Sequence, residues 1–311
     1  MTVLFHTTFS DSKIWKKEIE KLFKNERIIS IDDVKYFKNV EFAIVWNLPD
    51  VVLKKLTNLK IIFSQGAGVD HILNLPSYNN IPIIRLKDPA MGKRMANHVL
   101  SQILNFQLNL KKYSNSQQEK IWLDDIESHA PLENNQLTIG ILGAGYLGQY
   151  VANFLKKLNY KVIGYKKNKT NKNYGFKIYY NKLDEFIFSS DVIVSILPST
   201  KKTKNLINKK FLTKMKTKSL LINVGRGITL NEKDLINFLK KEKNFYASLD
   251  VFENEPLPKS SKFWNHPNVT ITPHIASITI VHSAVKQMHK IYKDYKKKGK
   301  IISDVNLKNG Y

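Results

Sequence analysis

The chain of 311 residues, 42% of them hydrophobic, is long enough for two globular domains with separate cores, but no apolar run reaches the roughly 18 residues of a membrane span. Its formal charge of +24 suggests nucleic acid as a possible partner. Only four of the 50 basic residues are arginines, however, and phosphate and base recognition use arginine heavily, which argues against such a partner. Because cysteine is absent, disulfides and thiolate metal ligands are excluded, and we expect a cytoplasmic protein that binds no membrane, nucleic acid or metal.

The first part of the chain alternates short apolar runs with amphipathic segments. The predicted strands are Val3 to Phe5, Phe42 to Trp46, Ile61 to Ser64 and Ile81 to Arg85. This alternation predicts a parallel sheet with helices on its faces. A helix is predicted from about 96 to 115, followed by a polar stretch up to Gln136 that contains Trp122 and Pro131. A second βα series then begins at Leu137, so two α/β units are expected.

The second series opens with a glycine-rich turn. An apolar strand over 137–142 runs into Gly143-Ala144-Gly145-Tyr146-Leu147-Gly148, and a helix is predicted from Tyr150. In such a turn Gly143 permits the tight bend, Gly145 the close approach of backbone to a pyrophosphate, and Gly148 the packing of helix on strand. The residues predicted to bind a dinucleotide here are Gly143, Gly145, Tyr146, Leu147 and Gly148.

The next strand, predicted over 161–165, ends without the acidic residue that usually binds the ribose 2′-hydroxyl of NAD. Lysines follow it instead, at Lys166, Lys167 and Lys169. A lysine cannot accept a hydrogen bond from that hydroxyl, but it can neutralise a 2′-phosphate. We therefore predict that NADP(H) is preferred and that NAD(H) remains possible.

Arg226 lies between two glycines in the loop after an apolar strand over 219–222. A planar guanidinium can bind a carboxylate at two points, so a carboxylate-bearing substrate is predicted. The alternative is an arginine that caps the end of the strand or forms an ion pair on the surface. The loop at Leu197 and Pro198 follows another strand in the same way. Ligands of open parallel sheets bind at the carboxyl ends of the strands, so we predict cofactor contacts from Leu197, Pro198 and Val224.

His274 follows a predicted strand over 269–272, and acidic residues follow the strand before it. Reduction of a ketone by hydride leaves an alkoxide that must gain a proton, and histidine is the side chain suited to supply it near neutrality. A carboxylate would orient the imidazole and favour its charged form. Either Glu253 or Glu255 could serve, and the spacing does not choose between them.

Taken in order, these motifs resemble those of the D-isomer-specific 2-hydroxyacid dehydrogenase family. The family-like segments are Gly143-x-Gly145-x-x-Gly148, Asn223-Val224-Gly225-Arg226-Gly227, Leu249-Asp250-Val251-Phe252-x-x-Glu255-Pro256 and Thr272-Pro273-His274. Further segments look like the glyoxylate/hydroxypyruvate reductase A group, namely Val45 to Pro49, Gly66 to Asp70, Glu255 through Leu257-Pro258 to Trp264-x-His266-Pro267, and Asn309 to Tyr311.

The resemblance implies two Rossmann- or flavodoxin-like α/β domains with parallel sheets, the cofactor domain (98–279) being inserted into the substrate domain (1–97 and 280–311). It implies a homodimer. It also implies a catalytic triad of Arg226, Glu255 and His274, with Asp250 at the nicotinamide end.

By the same resemblance, Ala67, Gly68 and Val69 offer backbone N–H groups to the substrate carboxylate, and Trp46 walls the substrate pocket. The pair Asn97-His98 departs from the family, many of whose members have an acidic residue there. No role is assigned to Trp122 or Trp264.

The resulting hypothesis is an NADPH-dependent reductase of small 2-oxoacids, with glyoxylate and hydroxypyruvate as the first candidates. The alternatives are an enzyme for another D-2-hydroxyacid, lactate-like or branched, and a non-catalytic regulator that senses NAD(P).

Overall fold

The computed structural model describes residues 1–124, 133–301, 303, 305–307 and 310. The chain divides into two compact units, Met1–Met91 with Thr279–Tyr311, and Gly92–Ile278, where the sequence led us to expect divisions after 97 and 279. We call them the five-stranded and the seven-stranded unit after their sheets. Pro131, Asn309 and Tyr311 lie outside the described residues.

The strands of the described residues are β1 (Thr2–His6), β2 (Arg27–Ile29), β3 (Val40–Val45), β4 (Ile61–Ser64), β5 (Ile83–Ile84), β6 (Thr138–Leu142), β7 (Lys161–Lys166), β8 (Lys177–Tyr180), β9 (Val192–Ser195), β10 (Ser219–Asn223), β11 (Phe245–Leu249) and β12 (Val269–Ile271). The helices there are α1 (Ser12–Leu22), α2 (Asp50–Leu53), α3 (Asp70–Leu73), α4 (Pro89–Gln107), α5 (Leu110–Glu119), α6 (Tyr146–Lys157), α7 (Leu183–Phe188), α8 (Lys209–Leu212), α9 (Glu232–Lys241) and α10 (Val281–Lys298).

The five-stranded unit contains a parallel sheet in the order β2-β1-β3-β4-β5. Its central strands are apolar on both faces because helices cover both sides of such a sheet, and residues 42–45 are fully buried. The strand order reverses between β1 and β3, whose registers pair Phe5 with Ile44 and His6 with Val45. The residues that follow β1 and β3 therefore meet at the sheet edge where open α/β sheets bind ligands.

The seven-stranded unit contains a parallel sheet in the order β12-β11-β10-β9-β6-β7-β8. Here the order reverses between β6 and β9, where Leu142 pairs with Ser195. The carboxyl ends of β6, β7, β9, β10, β11 and β12 lie along one edge, and each of the predicted motifs of this unit follows one of them. Two parallel α/β sheets, with the second inserted into the first, confirm the predicted fold class.

Three details of the predicted elements were wrong. Strands β2 and β8 had not been predicted; both lie at sheet edges. The predicted helix over 96–115 is two helices, α4 and α5, which meet at Asn109. Asn109 adopts φ of 52°, a left-handed conformation that ends an α-helix and that asparagine tolerates better than most residues.

Candidate active site

The glycine turn after β6 has the geometry that a dinucleotide needs. Gly143 has φ of +109°, and a Cβ on Gly148 would lie 2.2 Å from the carbonyl oxygen of Gly143, so neither position accepts a side chain without a backbone shift. Apart from its chain neighbours, no atom of the described residues lies within 4 Å of the position that a Cβ on Gly145 would take. Gly145 is also the N-cap of α6, whose first turn contains Tyr146 and Leu147. The turn thus offers a helix N-terminus and exposed backbone, and it fits a pyrophosphate.

The lysines at the end of β7 and just after it differ in their surroundings. The Lys166 ammonium lies 5.3 Å from the ring centroid of the buried Tyr174. Burial works against ionisation of that phenol, but its bonds to Lys166 and Thr170 dominate, so the pKa of Tyr174 falls below its usual range. Lys167 and Lys169 are exposed. The structure thus provides two exposed cations and one held against an aromatic ring at the end of β7.

The loops after β9 and β10 are in direct contact. A Cβ on Gly225 would lie 2.6 Å from the carbonyl oxygen of Leu197, so the backbone of the β10 loop lies against that of the β9 loop. The Thr203 hydroxyl donates to the carbonyl of Pro198 at 2.6 Å and fixes the β9 loop. Val224 is buried between them. Leu197, Pro198 and Val224 therefore lie beside the glycine turn at the reversal point of the sheet.

Hydrogen bonds within the loop fix both the backbone and the side chain of Arg226. Its carbonyl accepts hydrogen bonds from the Thr229 hydroxyl at 2.7 Å and from the Asn223 side-chain amide at 3.3 Å. One guanidinium nitrogen, Nη1, donates to the carbonyl of Gly225 at 3.0 Å. A Cβ on Gly227 would lie 1.9 Å from the carbonyl carbon of Phe252, so the Arg226 loop packs directly on the segment after β11.

His274 and Glu255 form a hydrogen-bonded pair. The distance from His274 Nδ1 to Glu255 Oε2 is 2.7 Å, and the side chains are 43% and 36% exposed. Glu255 Oε1 accepts from the Phe252 N–H at 2.9 Å. Partial burial opposes ionisation of Glu255, but the bonds from His274 and Phe252 and the charge of Arg226 outweigh it, so the pKa of Glu255 is lowered. A carboxylate ionised at neutral pH therefore accepts a hydrogen bond from Nδ1–H, and Nε2 is the ring nitrogen that Glu255 does not bind.

Glu253, the other candidate partner, is not brought to His274. Its N–H donates to Glu232 Oε1 at 2.8 Å, and its own side chain is exposed. Burial, together with the charge of Glu253, raises the pKa of Glu232. The side chain that the fold pairs with His274 is therefore that of Glu255 and not that of Glu253.

Asp250 has a function that the sequence did not indicate: it builds the turn that carries His274. Its side chain is buried, Oδ1 accepts from the Thr272 hydroxyl at 2.6 Å and the Ile275 N–H at 2.9 Å, and Oδ2 accepts from the Ala276 N–H at 2.9 Å. The His274 N–H donates to the Asp250 carbonyl at 2.8 Å. His274 itself has φ of 55°, so the turn holds it in a left-handed conformation.

In the five-stranded unit, Trp46 and the turn from Gly66 to Val69 follow β3 and β4. The Trp46 ring is stacked on Phe9 at a centroid distance of 5.0 Å, and it lies 4.2 Å from the ring of His71. A Cβ on Gly66 would lie 2.8 Å from the indole. Ala67 and Gly68 are partly exposed and Val69 is buried. The indole and the turn are therefore packed against each other.

The residues without an assigned role have different surroundings. Asn97 is exposed, whereas His98 Nε2 is buried without a hydrogen-bond partner among the described residues. Burial lowers the pKa of His98, and the charge of Asp250 opposes this. Trp122 is 90% exposed, and Trp264 donates from Nε1 to the carbonyl of Pro258 at 2.9 Å. In the part of the chain that the structure describes, no cluster of three or more His, Asp or Glu side chains is placed to hold a metal ion. No helix described is both long and apolar enough to cross a membrane.

A glycine turn for a dinucleotide, with an imidazole–carboxylate pair and an arginine at the same sheet edge, is typical of a dinucleotide-dependent oxidoreductase. Residues 100–276 match the model of the NAD binding domain of D-isomer specific 2-hydroxyacid dehydrogenases. The chain is also 32% identical, over 100% of both sequences, to glyoxylate/hydroxypyruvate reductase A of Photorhabdus laumondii. This protein therefore belongs to the D-isomer specific 2-hydroxyacid dehydrogenase family.

Two solved structures of relatives match the fold of this protein over its whole chain. The NADPH-dependent glyoxylate/hydroxypyruvate reductase of Sinorhizobium meliloti, in complex with NADP and sulfate, matches with a TM-score of 0.88 and 29% identity, covering 100% of this chain and 99% of that one. A probable 2-hydroxyacid dehydrogenase of Rhizobium etli, in complex with NADP, HEPES and L(+)-tartaric acid, matches with a TM-score of 0.89 and 28% identity over the same shares.

Proposed function

We propose that this protein is an NADPH-dependent reductase of small 2-oxoacids, glyoxylate and hydroxypyruvate first, which it converts to glycolate and D-glycerate. The observation that carries the proposal is the bond of 2.7 Å between His274 Nδ1 and the ionised Glu255. Glu255 lies on the segment after β11, against which Gly227 packs the Arg226 loop, and the His274 N–H donates to the carbonyl of Asp250 in that segment. An acid, its orienting carboxylate and a carboxylate-binding cation are thus joined by backbone contacts.

Each side chain has one role in the proposed reaction. When bound, the cofactor supplies the hydride that is added to the carbonyl carbon of the substrate. Arg226 binds the substrate carboxylate and polarises the ketone. His274 Nε2 donates the proton that converts the carbonyl oxygen to a hydroxyl group, while Glu255 holds Nδ1–H and stabilises the imidazolium before transfer. Asp250 keeps the His274 turn in place and is also proposed to lie at the nicotinamide end.

The proposed cofactor contacts come from the seven-stranded unit. They are Gly143, Gly145, Tyr146, Leu147, Gly148, Leu197, Pro198 and Val224, with Lys166, Lys167 and Lys169 toward a 2′-phosphate. The preference for NADP(H) is supported by the absence of an acidic residue after β7 and by the complexes of the Sinorhizobium and Rhizobium relatives with NADP. NAD(H) is expected to be used less efficiently.

The five-stranded unit is proposed to be the substrate domain. Its N–H groups at Ala67, Gly68 and Val69 would bind the carboxylate, and Trp46 would limit the size of the substituent on the ketone. Supporting this, the indole is fixed on two sides by Phe9 and His71. We also propose a cytoplasmic homodimer, as the family resemblance implies, which light scattering after size exclusion would test.

The decisive assay measures NADPH and NADH oxidation with glyoxylate, hydroxypyruvate, pyruvate and a branched 2-oxoacid. We expect the highest kcat/KM with NADPH and one of the first two substrates. Higher kcat/KM with pyruvate or the branched acid would favour the alternative of another D-2-hydroxyacid. NADPH binding without turnover on any of them would favour a regulator.

The role of His274 is tested by His274→Ala, which should lower kcat by about 10²- to 10⁴-fold, the usual contribution of a general acid. The dissociation constant for NADPH, measured by nucleotide fluorescence, should stay within the error of the wild type. His266→Ala is the matched control, because His266 Nδ1 accepts from the Asn268 N–H before β12 and lies away from the carboxyl ends of the strands. Undiminished kcat in His274→Ala would overturn the assignment.

A further inference from the structure

His71 connects the two parts of the proposed substrate site in the five-stranded unit. It lies in α3, directly after the Gly66–Val69 turn. Its Nδ1 lies 3.1 Å from the backbone nitrogen of Asn47, the residue after Trp46, and its Nε2 lies 3.2 Å from Ser64 Oγ at the end of β4. One imidazole thus contacts the segments that follow both β3 and β4.

These contacts fix the proton positions on the ring. A backbone N–H can only donate, so Nδ1 of His71 must be the unprotonated, accepting nitrogen. Nε2 then carries the proton and donates it to Ser64 Oγ. The Ser64 hydroxyl in turn donates to the carbonyl of Gly68 at 2.7 Å. The directed chain therefore runs from the Asn47 N–H through His71 and Ser64 to Gly68, and Ser64 is fully buried within it.

The chain sets the direction of an N–H group proposed to bind substrate. In a trans peptide the C=O and the N–H point in opposite directions. Because Ser64 binds the carbonyl of Gly68, the N–H of the same peptide unit, which belongs to Val69, is turned away from Ser64. The bond from Ser64 to Gly68 thus fixes the orientation of one donor of the anion-binding turn.

The ring of His71 acts on the other half of the site. Its centroid lies 4.2 Å from that of the Trp46 indole, on which Phe9 is also stacked. The position that a Cβ on Gly66 would take lies 2.8 Å from the indole, so the turn itself closes a further side. Trp46 therefore has little freedom to change its rotamer as long as His71 is in place.

We infer that His71 is a positioning residue that holds the Trp46 wall with its ring and, through Ser64, orients the carboxylate-binding turn, and so determines which 2-oxoacids are accepted. The inference rests on the proposed function. His71 would have two separable effects. Its hydrogen bonds would raise the affinity for the substrate carboxylate, and its ring would limit the size of the substrates that are accepted.

Three variants separate these effects. Ser64→Ala removes the bonds of Ser64 to Gly68, His71 and Gly66 and leaves the ring on Trp46. We expect KM for glyoxylate to rise about 5- to 10-fold, the factor for the loss of the one bond that orients the turn, with little change in kcat. His71→Phe keeps an aromatic ring but removes the donor that holds the Ser64 hydroxyl, so KM should also rise. Both should keep the wild-type ratio of kcat/KM for glyoxylate over 2-oxobutyrate. His71→Ala should raise KM and also lower that ratio.

His282→Phe is the matched control, because His282 is exposed in the same unit and its Nδ1 is bonded only on the surface, to Glu18 at 2.9 Å. It should leave KM and the substrate ratio unchanged. In all variants the dissociation constant for NADPH should match the wild type. Wild-type KM in both Ser64→Ala and His71→Phe, or an unchanged substrate ratio in His71→Ala, would overturn the inference.

A readout that needs no turnover keeps the two proposals distinguishable. In ¹⁵N spectra of histidine-labelled protein at neutral pH, the signals lost in His71→Phe should be those of a neutral ring protonated at Nε2. A ring protonated at Nδ1 would overturn the hydrogen-bond chain even if the enzyme is active. If the wild type reduces none of the 2-oxoacids, the proposed function fails, and the spectra still decide whether His71 holds the turn. Should His71→Ala not fold, Ser64→Ala and His71→Phe carry the test.

Discussion

Replacing Asp250 with asparagine tests whether a buried carboxylate positions the acid. Asp250 accepts three hydrogen bonds through two oxygens, two at Oδ1 and one at Oδ2. Asparagine has one accepting oxygen. If its oxygen takes the place of Oδ1, the amide NH₂ faces the Ala276 N–H, and a donor meets a donor. The variant therefore leaves at least one buried N–H unsatisfied, at a cost of about 1–3 kcal/mol.

That cost falls on the turn that carries His274. The residues bound by Asp250, namely Thr272, Ile275 and Ala276, flank His274 on both sides, and φ of 55° at His274 depends on their being held. A displacement of the imidazole by about 1 Å can lower the rate on the order of 10²-fold. We expect kcat of Asp250→Asn with glyoxylate and saturating NADPH to fall about 10- to 100-fold.

The matched control is Asp191→Asn in the same unit. Asp191 precedes β9 and accepts from the Thr138 N–H at 2.8 Å and from the Lys216 ammonium at 2.7 Å, so it also ties a backbone amide to a carboxylate. It lies at the amino ends of β6 and β9, the edge opposite His274. This variant should lower the melting temperature and leave kcat unchanged. Equal losses of kcat in the two variants, or none in Asp250→Asn, would refute the positioning argument.

Three further predictions follow from the site. The pKa of Glu255 in the folded protein lies below its ordinary value of 4.5. Its ionised form therefore stabilises the fold fully above pH 4.5, and this stabilisation is lost as the pH falls through the lower, folded pKa. The difference in melting temperature between the wild type and Glu255→Gln should accordingly become smaller in acid. Replacing both Lys167 and Lys169 with glutamine should raise KM for NADPH several-fold, weaken its rise with salt, and leave KM for NADH unaffected, since only NADPH carries the 2′-phosphate. Gly148→Ala should destabilise the protein, because the added carbon meets the carbonyl of Gly143 at 2.2 Å, whereas Gly145→Ala should melt like the wild type and bind NADPH more weakly; equal melting temperatures of the two alanine variants would contradict the glycine assignments.

The central strands could be predicted from the sequence because they are buried on both faces and form nearly continuous apolar runs. Two of the four edge strands, β2 and β8, could not. Strand β2 has one buried residue in three, and β8 one in four, so neither contains an apolar run. The break at Asn109 was missed for a different reason: apolar residues keep their helical spacing across it, and only the backbone conformation interrupts the helix.

For the site, the sequence predicted the residue types and the strand ends but not which groups meet. Glu253 and Glu255 are two residues apart, and their side chains are separated by the course of the backbone after β11, which spacing does not reveal. The donors on the Asp250 carboxylate lie 22 to 26 residues away in the chain. The Asn47–His71 bond spans 24 residues. Such contacts leave no local pattern, since they depend on strand order and not on the period of any element.

In both units a buried polar side chain fixes the backbone of a loop that follows a strand. A segment that follows a parallel strand has left the hydrogen-bond ladder, so its backbone must be fixed by other groups if it is to present a proton donor in one direction. In the seven-stranded unit the Asp250 carboxylate accepts hydrogen bonds from the backbone N–H groups that follow His274. In the five-stranded unit the Ser64 hydroxyl donates to the carbonyl of Gly68. Asp250 and Ser64 are each fully or almost fully buried, at 1% and 0% exposure, so water does not compete for these bonds. The groups proposed to contact substrate can therefore remain exposed without losing their orientation.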